Sequence, residues 1–149
     1  MNDAHIIGGP GVEQSIEQRQ STSGLVRSYP WLTVLTGTSV LLQAILAGRG
    51  WFVDYDLIEV HGYIGNVTFL LVILLVVGAW LGKQAGVLTN TELILSVALL
   101  ALTAAQFGLG YGGRDSQTAA SLHVPNGILV TGLTSALIAL SFMRQPNRA

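Results

Sequence analysis

Val60 to Gly82 reads VHGYIGNVTFLLVILLVVGAWLG, and no Asp, Glu, Lys or Arg interrupts it. A helix needs about 20 apolar residues to cross the hydrocarbon of a bilayer, so this run predicts a transmembrane helix. Three further runs have the same character: Trp31 to Gly48, Leu93 to Gly110 and Ala120 to Met143. Half of the chain is hydrophobic and 10% is charged, against about 25% charged in a soluble domain. A β-barrel would pair its backbone groups equally well inside lipid, but its strands alternate apolar and polar residues, and these runs are continuously apolar. The expected fold is all-α: an integral membrane four-helix bundle running up-down-up-down over residues 30–143, in contact with the lipid bilayer. A polar tail over 1–29 and a short tail over 144–149 complete the expected organisation.

The punctuation fits this plan. Pro30 stands where a first span would begin. Gly48 and Gly50 would end that span, and Gly108, Gly110, Gly112 and Gly113 would end the third. Lys83 to Thr89 reads as a tight return loop, and Thr89-Asn-Thr-Glu92 has the spacing of a capping box opening the third helix. Arg19, Arg27, Lys83, Arg144 and Arg148 collect on one side, against Arg49 and Arg114 on the other. By the positive-inside rule, both termini are expected on the cytoplasmic side of a bacterial-type cytoplasmic membrane. The tail reads as a leader without the apolar core of a signal sequence, although Val12 to Arg19 could form a short surface helix. His5 falls in that tail.

Chemistry-bearing residues are few. The chain has no cysteine, which excludes disulfides, thiolate metal sites and covalent haem attachment. No basic stripe suggests nucleic acid, and no nucleophile, general-base pair or phosphate loop suggests a self-contained enzyme.

What stands out is an internal repeat. His61-Gly-Tyr-Ile-Gly65 and His123-Val-Pro-Asn-Gly127 each set a histidine four residues before a glycine. Gln43 precedes the first histidine by 18 residues, and Gln106 precedes the second by 17. The bundle therefore reads as two tandem helix hairpins in the same orientation, with both histidines and both glutamines in one layer near the outer end.

The second and fourth helices of an up-down bundle are diagonal partners, roughly 11–14 Å apart given neighbours at about 8–10 Å. Two imidazoles reaching inward from them can meet one metal atom, so His61 and His123 are candidate axial ligands of a b-type haem. Gly65 and Gly127, one turn deeper, would let a macrocycle approach the helix backbone. Gln43 and Gln106 would orient the histidines or touch the cofactor; bridging the hairpins as interhelical hydrogen-bond partners is the plainer role for them. A bare metal ion would need help from Asp56 or Glu59. Pro125 leaves two geometries open for His123, on the helix or in the loop before it.

On Gln43, Ala47-Gly48-Arg49-Gly50, His61 to Gly65, Gln106 and Leu122-His123-Val-Pro-Asn126-Gly127, the chain resembles a family of small, uncharacterised bacterial four-helix membrane proteins. The resemblance covers about residues 30 to 143 and implies the fold without an activity. More distantly, the chain is similar to one four-helix half of haem A synthase, where histidines on the second and fourth helices bind haem. That similarity implies haem binding at His61 and His123. It does not extend to haem A synthesis: Ile58 stands where that family carries a glutamate, and its cysteine pair is missing.

The expected function is thus a membrane haem protein for electron transfer or haem handling, with a quinol or another membrane subunit as its partner. The alternative is a cofactor-free structural or assembly subunit, held in a larger complex through Gly37, Gly78, Gly132 and Ser135. A small transporter ranks third, since no charge lies mid-membrane to couple ions.

Overall fold

The computed structural model describes residues 10–144. It is all-helical: α1 (Pro10–Phe52), α2 (Asp56–Gln84), α3 (Asn90–Gly112) and α4 (Gln117–Met143). All four are long and apolar enough to cross a membrane, α1 over its Ser28–Phe52 portion.

Helix ends differ from expectation in three places. α1 starts at Pro10, so Pro30 is an internal, buried residue and not a first-turn proline. The polar segment before it is rich in Glu, Gln and Arg, all good helix formers, and this outweighs the one backbone bond that Pro30 forfeits. Gly48 and Gly50 lie inside α1, which runs on to Phe52, just as Gly108 and Gly110 lie inside α3, which runs on to Gly112. Lys83 closes the last turn of α2 instead of opening the loop, where its charge faces the negative end of the helix dipole. His5 and Arg148 lie outside the described residues.

The remaining boundaries follow local chemistry. Thr89 and Glu92 form the expected reciprocal capping box at the start of α3. Ser116 caps α4, its Oγ accepting from the Ala119 N–H at 3.3 Å. Pro125 therefore lies well inside α4, and His123 projects from the helix and not from the loop. Between α2 and α3 the chain reverses at Gly86, whose φ of +72° is the only positive value among the described residues. Val87 and Leu88 there both donate to the Gly82 carbonyl, at 2.9 and 3.1 Å.

α1 packs against α2 and α4, and α3 packs against the same two helices. The diagonals are α1/α3 and α2/α4. Each helix buries one narrow seam at alternating spacings of four and three residues. The seams are Tyr29-Thr33-Thr36-Val40, Thr68-Val72-Leu75-Ala79-Gly82, Glu92-Ser96-Leu99-Thr103 and Val130-Thr134-Leu137-Ser141. That spacing is the knobs-into-holes pattern of left-handed helix packing.

The seams are unusually polar. Thr33, Thr36, Thr68, Ser96, Thr103, Thr134 and Ser141 are buried, while Trp31, Leu41, Leu70, Ile94 and Ile128 are exposed. A soluble bundle would do the reverse. Most of these hydroxyls donate to the carbonyl one turn back in their own helix, as Ser96 does to Glu92 at 2.7 Å and Thr103 to Leu99 at 2.7 Å. A few meet across helices: Ser39 donates to Thr68 Oγ1 at 2.7 Å, and the Thr33 and Ser141 oxygens lie 3.1 Å apart. Small residues serve close approach as well. Gly37 lies against Ile138 and Gly78 against Tyr29, whereas Gly132 has open space where a side chain would be.

Each diagonal is bridged at one end of the bundle. At the end where α3 begins, the Tyr29 hydroxyl of α1 meets Ser96 Oγ of α3 at 3.1 Å. Beside them Glu92 is completely buried and pairs with Arg144 Nε at 2.9 Å. The guanidinium approaches off the N–H direction, so the contact is an ion pair without an aligned hydrogen bond. The other oxygen of Glu92 accepts from the Thr89 N–H at 3.0 Å and from the Thr89 hydroxyl. The second diagonal is bridged at the opposite end, by the two histidines.

Candidate functional site

His61 enters from α2 and His123 from α4. Their ring centroids stand 6.2 Å apart with the planes inclined at 69°. Metal–nitrogen bonds of about 2 Å on either side of one atom, with about 1 Å from each nitrogen to its ring centre, separate two centroids by about 6 Å. The centroid spacing is compatible with two axial imidazoles, and it is equally that of an edge-to-face ring contact; His123 Nε2 itself faces Gln106.

Each histidine is held by the glutamine of its own hairpin, but through different atoms. In the first hairpin the exchange is reciprocal. His61 Nδ1 lies 3.0 Å from the Gln43 carbonyl oxygen, and Gln43 Nε2 donates to the His61 carbonyl at 2.9 Å. A carbonyl only accepts, so the His61 ring proton sits on Nδ1 and the lone pair on Nε2. A ring N–H given to a backbone carbonyl is the usual support of a metal-ligating histidine.

In the second hairpin the contact runs side chain to side chain. Gln106 Nε2 lies 3.1 Å from His123 Nε2, and Gln106 Oε1 accepts from Asn126 Nδ2 at 2.5 Å. Asn126 Nδ2 also donates to the Leu102 carbonyl at 2.9 Å. His123 Nδ1 is buried and makes no well-aligned hydrogen bond, although the Gln106 backbone carbonyl lies against the ring.

The two repeat glycines have one shared environment. A side chain at Gly65 would meet Gln43 Oε1 at 3.5 Å, and one at Gly127 would meet Gln106 Nε2 at 3.2 Å. The space expected to receive a macrocycle is, in both halves, next to the hairpin's own glutamine. What the glycines demonstrably do is let each glutamine lie flat against the facing helix.

Two residues of the site were not assigned to it from the sequence. Asn126 was visible in the motif, and its three-residue spacing from His123 places it on the same helix face. Gly110 gives the His123 ring its room, since a side chain there would lie 3.1 Å from Cε1 and 3.4 Å from Nδ1; nothing in a run of four nearby glycines distinguishes it beforehand. Glu59 and Asp56 take no part. Glu59 accepts from the exposed Tyr63 hydroxyl at 3.0 Å, and the Asp56 N–H bonds Asp54. Among the described residues no three His, Cys, Asp or Glu side chains gather as a metal-ion site. A metal at this site would therefore have to bring its other ligands with it, as the iron of a porphyrin does.

No family model, no curated protein and no solved structure matches this chain.

Proposed function

We infer that this chain is an integral membrane protein, an up-down-up-down bundle with both termini in the cytoplasm, that holds one b-type haem between His61 and His123 near the outer face. The observation that carries this reading is the pair of imidazoles, 6.2 Å apart, delivered from diagonal helices. The inverted polarity of the bundle, with hydroxyls inside and large aliphatic and aromatic side chains outside, supports lipid as its surroundings.

Bound between two imidazoles, haem supplies one-electron chemistry. The chain's own part is to hold the rings at one depth and in one protonation state. Gln43 fixes His61 through the carbonyl at its Nδ1, leaving Nε2 to the iron. Gly110 admits the His123 ring, and the close-packed seams below exclude water. A single site near one face does not pass electrons across the bilayer unaided. Its role is exchange with a quinol or a membrane subunit, or the holding of haem for transfer.

The test is stoichiometry. The protein, expressed in haem-replete cells and purified in detergent, is assayed for haem as its pyridine complex and for protein by amino-acid analysis. About one haem per chain is expected; a preparation that lacks haem and takes none up on addition refutes the reading.

A cofactor-free structural subunit is the second reading, and one observation favours it: Gln43 and Gln106 already pack against Gly65 and Gly127. In that case the histidines lock two hairpins together, and the outward-facing Gly132 and Ser135 are available to a neighbouring helix.

A further inference from the structure

The two halves of the repeat are not equivalent at the histidines, and the difference can be followed atom by atom from a backbone carbonyl. The Leu102 carbonyl can only accept, so the Asn126 side-chain atom 2.9 Å from it is the amide nitrogen. That nitrogen faces one end of the Gln106 amide at 2.5 Å, which must then be oxygen. The other end of Gln106 is therefore N–H, and it points at His123 Nε2 from 3.1 Å. A nitrogen facing an N–H donor must carry the lone pair, which leaves the ring proton on Nδ1. Nδ1 is buried without a well-aligned hydrogen bond, and the Gln106 backbone carbonyl is the acceptor beside the ring.

Both histidines thus carry the same neutral tautomer for different reasons. The lone pair of His61 is unencumbered, whereas that of His123 is engaged by Gln106. The position that matches Asn126 in the first hairpin is Ile64, which can make no such bond.

We propose that Asn126 is a positioning residue that acts through Gln106 to fix the His123 ring proton on Nδ1 and to engage its Nε2 lone pair, so that His61 is the firm axial ligand and His123 a displaceable one. The ligand half of this inference rests on the haem reading; the tautomer half does not. The consequence is functional. A centre with one firm and one exchangeable ligand opens a coordination position to an incoming ligand, which favours haem handling or ligand binding over simple electron storage. Gln106 must release Nε2 before His123 can bind iron, so it competes directly with the metal.

Two arms test this. In the first, the haem-free protein carries ring-¹⁵N histidine in detergent micelles, and its ring nitrogen shifts are assigned with His61→Ala and His123→Ala. The expected spectrum has His123 protonated on Nδ1. Asn126→Ala frees Gln106 to turn over and gives both tautomers. Gln106→Glu, which presents an acceptor oxygen in place of the N–H, moves the proton to Nε2. A wild-type His123 protonated on Nε2, or an Asn126→Ala spectrum identical to wild type, overturns the inference.

The second arm exposes the dithionite-reduced, haem-loaded protein to carbon monoxide. Wild type is expected to bind it by releasing His123, and His123→Ala to bind it faster. Gln106→Leu, which removes the competing N–H, slows binding about fivefold to tenfold. His61→Ala loses the haem. A reduced wild type inert to carbon monoxide, or loss of haem on removal of His123 but not of His61, contradicts the assignment. Failure to take up haem at all removes the ligand assignment together with the haem reading, while the ring spectra decide the tautomer independently.

Discussion

His61 and His123 meet ring to ring with centroids 6.2 Å apart, although their helices α2 and α4 are diagonal and do not pack against each other. The bundle closes that distance with side chains because Gly65, Gly110 and Gly127 keep the neighbouring surfaces bare. The polar groups of the layer then meet one another within each hairpin.

The glycines of the repeat are graded in their tolerance. Gly127→Ala would place a methyl 3.2 Å from Gln106 Nε2, tighter than the 3.5 Å to Gln43 Oε1 at Gly65. The first substitution should displace the Gln106 amide and disturb the His123 ring signals, and Gly65→Ala should leave the His61 signals nearly unchanged. Histidine ring ¹⁵N spectra of the two variants make the comparison, and equal effects would count against the packing described.

The buried pair at the other end is a stability element. Arg144→Ala leaves the Glu92 carboxylate inside the bundle with only Thr89 to satisfy it. Because Arg144 is 40% exposed, solvent screens part of the pair, and a loss of about 1–3 kcal/mol is expected. Thermal unfolding in detergent should show it. Adding Glu92→Gln should recover part of the loss, as expected for directly coupled neighbours.

Gly86 carries the α2–α3 reversal with φ of +72°. Gly86→Ala meets no atoms within 4 Å, so its cost is purely conformational, about 1 kcal/mol. The unfolding midpoint should fall slightly with no change at the histidines.

The seam hydroxyls should matter less individually than their burial suggests. Thr68→Val removes the 2.7 Å bond to Ser39 but preserves shape, and interhelical hydrogen bonds in membrane bundles are worth about 0.6 kcal/mol. A Thr68→Val protein within about 1 kcal/mol of wild type is expected; a drop of several kcal/mol would mean that the bond is part of a larger network.

The four helices were legible because long apolar runs without charge are a strong signal of spanning-length helices. The seam was not, since hydropathy cannot separate an inward Leu75 from an outward Leu70 when both faces of a helix are equally apolar. A usable signal was the seven-residue spacing of small polar residues, as in Ser96 and Thr103 or Thr134 and Ser141. The reach of α1 to Pro10 was hidden because Pro30 looks like a start, and a long helix is stabilised by what surrounds it as much as by its own residues. The histidine–glutamine pairing could be read as a repeat. That the halves use different atoms could not, because it depends on Asn126 in one hairpin and Ile64 in the other.

The most direct measurement is the absorption spectrum of the purified, haem-supplemented protein, oxidised and dithionite-reduced, beside His61→Ala and His123→Ala. The predicted result is a sharp reduced band of a six-coordinate haem in wild type, lost in both variants, with His123→Ala retaining a five-coordinate haem. A wild type that stays colourless after haem addition, or a band unchanged in both variants, would contradict the bis-histidine site.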